Sequence, residues 1–233
     1  MAAISDEQIE EFKQIATATL TTVLLKMGLK NVWIRGSFPL AYDQNRVAGP
    51  AFTLRFIPDR EDLATPASWA SPISTRTAIE QMPEGSIAVV DACGCAEAGV
   101  FGDILCQRMQ TRNVAAVITD GVVRDLEGIL QAGLGVWAAG TSAAPSIAGL
   151  TFVNWQEPIG CGGVAIMPDD LIVADKDGAV VVPAGMVSEV LSKSIDQERL
   201  EKWIMEQVQD GAPLPGLYPP NEATMRRYEK AKK

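Results

Sequence analysis

Apolar and polar positions fall into blocks along this chain, and the clearest blocks lie in its middle. Ser86–Asp91 (SIAVVD) is a short apolar run rich in β-branched residues, bounded by Pro83-Glu84-Gly85 before it and Gly94 after it. It predicts a buried strand. Gly94, Gly99 and Gly102 then make a permissive loop. Asp103–Arg112 carries Ile104, Leu105 and Met109 at helical spacing, with Asp103 acidic in the first turn and Asn113 as a stop. Val114–Ile118 (VAAVI) is the next apolar run, and Gly121 breaks it. Strand, glycine loop, helix and strand predict two parallel strands joined by a right-handed crossover. Ligands of such units gather at the carboxyl ends of the strands. The Gly102 loop and the pair Arg124-Asp125 both fall there.

The flanking patterns are simpler. Ser5 and Gln8 form a capping box. Ile9, Phe12, Ile15, Leu20, Val23, Leu24 and Met27 then predict one apolar helix face ending at Gly28. Arg46–Ile57 and the stretch from Gly163 to Pro183 predict strands separated by tight turns, and Met186–Val208 predicts a long helix. The expected organisation is one domain over residues 1–208, followed by a Pro-rich arm and a charged, solvated tail over 209–233. Trp203, Leu217 and Tyr218 suggest that the arm packs on something, such as a neighbouring subunit.

Composition narrows the class. A chain of 233 residues that is 47% hydrophobic can bury one large core. No apolar run approaches the roughly 20 residues that span a bilayer, so no membrane partner is expected. The N-terminus lacks a signal-peptide core. A net charge of −9 argues against nucleic acid as a direct partner. Cys93, Cys95, Cys106 and Cys161 show no disulfide framework, and the cytoplasm is the simplest compartment.

Candidate chemistry follows from residue types. There is no histidine, which excludes Ser-His and Cys-His nucleophile pairs and histidine-ligated zinc. No lysine lies within an apolar strand, where Schiff-base chemistry would need it desolvated. A metal ion stays open as the electrophile. The start of the 103–112 helix would aim the amides of Asp103, Ile104 and Leu105 at a carboxylate or phosphate. Arg124 can bind a carboxylate through two parallel hydrogen bonds. Asp125 is a hard oxygen ligand for Mg²⁺ or Mn²⁺, and Asp103 can orient a water or pass a proton. A 2-keto acid fits this set. Cys93-Gly94-Cys95 lacks a second metal-ligand pair and predicts small buried residues. Asp175-Lys176-Asp177-Gly178 predicts a hairpin turn rather than a calcium loop. Arg55, Arg60 and Arg76 either reach a substrate's far end or sit in salt bridges.

The pattern Gly102-Asp103 … Asp120-Gly121-Val122-Val123-Arg124-Asp125 resembles the RraA-like family, in which an Asp stands 21 residues before an Arg-Asp pair, as Asp103 and Arg124 do. That family contains the 4-hydroxy-4-methyl-2-oxoglutarate aldolases, which also decarboxylate oxaloacetate, and the regulator of ribonuclease E activity A. Val47–Thr53, Cys161-Gly162-Gly163-Val164, Pro168–Leu171, Asp175–Gly178 and Val180–Pro183 are also family-like, so the resemblance covers residues 15–200. Taken singly, Asp103 is a helix cap and Arg124-Asp125 a loop ion pair; their joint spacing turns both toward a site. The resemblance implies a swivelling β/β/α domain, a mixed α/β sheet core with outer helices. It implies catalytic roles for Asp103 and Arg124, and substrate binding by Gly102, Asp103, Ile104, Leu105 and Arg124. Asp125 would hold a divalent metal, Mg²⁺ or Mn²⁺. The expected ligand is a small-molecule carboxylic acid and the expected assembly a homotrimer or homohexamer. Departures from the pattern are Thr22 in place of an aspartate, Gly128 after Glu127 where an outer metal ligand is common, and the unmatched segments 59–75 and 213–221. They leave open a dehydratase or decarboxylase of a sugar-derived acid, and a non-enzymatic regulator that binds a ribonuclease.

Overall fold

A computed structural model describes residues 4–232. Its helices are α1 (Asp6–Phe12), α2 (Thr17–Lys26), α3 (Thr75–Gln81), α4 (Asp103–Thr111), α5 (Leu126–Ala132), α6 (Val187–Gln209) and α7 (Glu222–Ala231). Its strands are β1 (Trp33–Ile34), β2 (Phe38–Pro39), β3 (Val47–Pro58), β4 (Ile87–Asp91), β5 (Ala116–Thr119), β6 (Val122–Val123), β7 (Gly135–Ala138), β8 (Gly140–Thr141), β9 (Leu150–Trp155), β10 (Leu171–Asp175) and β11 (Gly178–Val182).

A nine-stranded mixed sheet runs β1-β11-β10-β3-β4-β5-β7-β2, with β9 added along β3. β3, β4, β5 and β7 are parallel neighbours, and the other pairings are antiparallel. β1 and β2 lie at opposite ends of this path, yet only Arg35, Gly36 and Ser37 separate them. The sheet therefore curls until its ends meet. Side-chain alternation then divides the core. Ile87 and Val89 of β4, Ile172 and Ala174 of β10, and Ala179 and Val181 of β11 point inward to one enclosed cluster around Trp137. Ala88 and Val90 point outward beneath Met109 of α4 and Ile129 of α5. Leu171, Val173, Val180 and Val182 point outward beneath Leu20 and Leu24 of α2 and Val190 of α6. Strands buried on both faces read as continuous apolar runs, which is why the pattern around β4 and β5 was legible.

One expectation needs correction. The predicted single N-terminal helix is two helices, because the chain breaks over residues 13–16. There the Thr17 amide and hydroxyl donate to Asp175 (3.0 and 2.6 Å), and Arg46 pairs with the same carboxylate at 3.3 Å. Buried polar contacts to a distant hairpin outweigh the continuity of the apolar face. The charged tail forms α7, most of whose residues are exposed. Asn221 caps α7, its side chain accepting from the Thr224 amide at 2.9 Å. Tyr228 is buried and its ring lies 5.5 Å from that of Trp203, so the arm packs on the chain's own α6.

Candidate active site

Three successive parallel strands end on the same side of the sheet, and the segment after each contributes to one cavity. After β4 come Gly99–Leu105, after β5 come Arg124 and Asp125, and after β7 come Pro145 and Ser146. A second small sheet locks these segments together. β6 pairs with β8 through Val122↔Gly140 and Val123↔Thr141, and Gly99 bridges to both Val122 and Pro145. The Arg124 amide donates to the Phe101 carbonyl at 2.9 Å. This close approach needs glycine. A Cβ on Gly99 would lie 2.8 Å from the Arg124 nitrogen, and one on Gly102 would lie 2.5 Å from Asp125 Oδ2.

Asp103 opens α4, with Gly102 as its N-cap. Asp125 is the N-cap of α5 and adopts the left-handed conformation (φ 57°), one that Asp tolerates better than most residues. Arg124 Nε donates to Asp125 Oδ2 at 3.0 Å. This bond fixes the guanidinium plane, and among the described residues neither terminal nitrogen of Arg124 has a hydrogen-bond partner. Asp103, Arg124 and Asp125, with Gly102, Ile104 and Leu105, all line one open cavity of about 410 Å³, a size suited to a small ligand. One expectation changes. The Ile104 amide does not point free into the cavity, because it donates to Asp103 Oδ1 at 2.7 Å. The helix start is thus partly satisfied by its own carboxylate.

The donor set bears on whether a divalent cation fits. Among the described residues no three His, Cys, Asp or Glu side chains converge on one point. Glu127 is exposed and accepts from Gln131 at 3.4 Å, and it does not line the cavity. Asp125 is half-exposed and keeps Oδ1 free of the arginine. One carboxylate facing open solvent fits Mg²⁺ or Mn²⁺, which retain several waters and complete their shell with substrate oxygens. It does not fit an all-protein cage.

Other residues matter to which the sequence assigned no role in the site. Gly128 is one. A Cβ there would lie 2.6 Å from Asp103 Cβ, so its absence lets α5 pass against the Asp103 side chain. Asp120 is another. It accepts from the amides of Ala92, Gly94 and Gly162 at 2.8, 3.2 and 3.0 Å. Burial pushes its carboxyl above the usual range, against the pull of those amides. In the sequence it stood only as the first residue of the Asp120–Asp125 pattern, with no role assigned. Cys93 is exposed rather than buried, whereas Cys106 and Cys161 are buried. Burial pushes the Cys106 thiol up to about 12.

A curled mixed sheet with an Arg-Asp pair and a helix start beyond the ends of its parallel strands defines an α/β domain with one candidate site. A family model described as RraA-like (Aldolase/RraA) matches residues 2–181. The chain belongs to the RraA-like family. It is 30% identical over 205 residues to a protein of Halalkalibacterium halodurans named "Putative 4-hydroxy-4-methyl-2-oxoglutarate aldolase", covering 86% of this chain and 90% of that protein. It is 30% identical over 169 residues to Protein DlpA of Legionella pneumophila, covering 72% of this chain but spanning only 26% of DlpA's length. Among solved structures it resembles Streptomyces coelicolor RraAS2, described as an unusual member of the RNase ES inhibitor RraA protein family. That match has a TM-score of 0.77 and 32% identity, over 87% of this chain and 98% of that one. The fold expected from the sequence, an RraA-like α/β domain, is the fold observed. Among the described residues, no helix is long and apolar enough to cross a membrane.

Proposed function

We propose that this protein is a divalent-metal-dependent lyase that cleaves a 2-keto acid through a pyruvate-like enolate, by aldol cleavage, oxaloacetate decarboxylation or both. The observation that carries this reading is the convergence of Asp103, Arg124, Asp125 and the α4 start on one cavity. Arg124 offers its two free terminal nitrogens to a substrate carboxylate or keto oxygen. The Leu105 amide, in the first turn of α4, adds a donor for the same carboxylate. Asp103 holds a water or moves a proton at the substrate carbon once it leaves the Ile104 amide. Asp125 would hold Mg²⁺ or Mn²⁺, which when bound supplies positive charge for the charge developing on the keto oxygen. The names of the aldolase relatives support this chemistry at family level.

The test is oxaloacetate decarboxylation by the purified protein with Mg²⁺ or Mn²⁺. A metal-dependent rate that chelation abolishes is expected, and no rate above background with several divalent ions overturns the reading. The similarity to RraAS2 favours a second reading, a regulator that binds a ribonuclease; an inactive protein that still captures such a partner would establish it. A homotrimer or homohexamer belongs to the first reading, and light scattering that returned only 24.9 kDa would count against that assembly.

A further inference from the structure

Another part of the cavity wall comes from residues 69–76. Trp69, in the short helical turn Pro66–Ala70, and Thr75 and Arg76, in the first turn of α3, line the same cavity as Arg124 and Asp103. Arg76 is exposed, and among the described residues it has no ion pair and no side-chain hydrogen bond. Its guanidinium lies 5.4 Å from the centroid of the Trp69 ring, within the range of a cation–π contact. That contact restrains the side chain while leaving all five N–H donors uncommitted. The backbone beneath it is firm, since Ser74 is buried and caps α3 by accepting from the Thr77 amide at 3.3 Å. A smaller recess lined by Phe56, Ile73, Ile147 and Phe152 adjoins the cavity and shares Trp69, Arg76 and Ser146 with it. Apolar lining beside a cation strengthens its hold on an anion.

We propose that Arg76, held over Trp69, is a specificity-determining residue that binds a second carboxylate at the end of the substrate remote from Arg124. The inference rests on the keto-acid reading above and gives a role to an arginine that the site around Arg124 does not otherwise use. Arg124 and α4 take the 2-keto end, and Arg76 selects for chains whose other end is anionic.

The experiment compares binding of pyruvate and of 2-oxoglutarate, by calorimetry with Mg²⁺ present, to the wild-type protein, Arg76→Gln, Trp69→Leu and Arg124→Lys. Arg76→Gln is expected to weaken 2-oxoglutarate roughly 10- to 100-fold, the worth of a charge-assisted hydrogen bond, and to leave pyruvate unchanged. Trp69→Leu is expected to give a smaller loss of the same selectivity. Arg124→Lys is expected to weaken both ligands. Equal effects of Arg76→Gln on both ligands, or none on 2-oxoglutarate, overturn the assignment while leaving the keto-acid reading intact. Failure of the wild-type protein to bind either ligand overturns the keto-acid reading and the Arg76 assignment with it. An unchanged melting temperature in Arg76→Gln shows that the variant is folded, as expected for an exposed side chain without a hydrogen bond.

Discussion

Two sets of aspartates stand out in this molecule, one at strand ends and one at helix starts, and they are built in opposite ways. Asp120 and Asp175 are saturated. Asp120 accepts from three backbone amides, and Asp175 accepts from Thr17, Asp177 and Arg46. Each ties loops distant in sequence. Asp103 and Asp125 are half-finished. Each has one local partner, the Ile104 amide or Arg124, and each faces the open cavity. A saturated carboxylate with little exposure is architecture, because its bonds are worth more than any ligand could replace. A carboxylate with unused lone pairs at a cavity has capacity left for a metal, a water or a proton. The comparison predicts a separation: changes at the first pair should cost stability, and changes at the second should cost turnover.

The largest expected effects test the second half of that separation. Arg124→Lys keeps the charge but loses the flat, two-pronged donor. On the proposed reading it lowers kcat/KM for oxaloacetate by roughly 10²–10³, on the order of 2–4 kcal/mol, with the melting temperature unchanged. Asp125→Ala is expected to weaken Mn²⁺ binding by calorimetry. Asp103→Asn should fold normally, since the Asn side-chain oxygen still accepts from the Ile104 amide, yet lose turnover. Near-normal turnover in Asp103→Asn would make Asp103 a helix residue and nothing more.

The next effect tests the first half. Asp120→Asn replaces one acceptor oxygen by a donor that faces amides already donating. A loss of about 1–3 kcal/mol in unfolding free energy is expected, read by urea titration. Wild-type stability in that variant would dissolve the distinction between the two sets. Gly128→Ala probes the border between them. Its methyl group would press on Asp103, 2.6 Å away, and overpacking of this kind costs about 1–3 kcal/mol. Because the clash falls on Asp103 itself, turnover should drop along with stability, unlike in either aspartate class alone.

The sequence showed one of these sets better than the other. β4, α4 and β5 were legible because local signals agreed: β-branched apolar runs, glycines between them and a helical spacing after Gly102. The Arg124-Asp125 pair was legible through its spacing from Asp103. What could not be read was distance in space. Nothing near Thr17 announces that its hydroxyl will meet Asp175, so the break between α1 and α2 was invisible to a periodicity that runs on through it. Asp120 stood in the family-like pattern without a role, because its three donors come from residues 92, 94 and 162. Gly128 looked like a gap in a motif because its neighbour Asp103 is on another helix. Arg76 stood among arginines with no pattern to rank them, and only the shared cavity with Arg124 set it apart from Arg60, which is spent on Asp62 at 2.7 Å.

The smallest effect is a pH dependence at Asp175, and it sharpens what saturation means. Burial alone would raise the pKa of this carboxyl, but the Thr17 hydroxyl, the amides of Thr17 and Asp177, and the Arg46 guanidinium together hold it below its ordinary value of 3.8. A carboxyl depressed by folding stabilises the native state above the unfolded-state pKa, and that stability is lost as pH falls through the folded-state value. The contribution is therefore complete at neutral pH and disappears only below about pH 4. Thr17→Ala removes the 2.6 Å hydroxyl bond but keeps the amide bond, so about 0.5–1.5 kcal/mol should be lost at pH 7. The same variant should lose less than wild type on going from pH 5 to pH 3, because part of the depression is already gone. Unfolding curves at those three pH values measure both. Parallel losses in the two proteins would mean that the Thr17 hydroxyl does not hold the Asp175 charge, and that the start of α2 is fixed by packing against β10 and β11 instead.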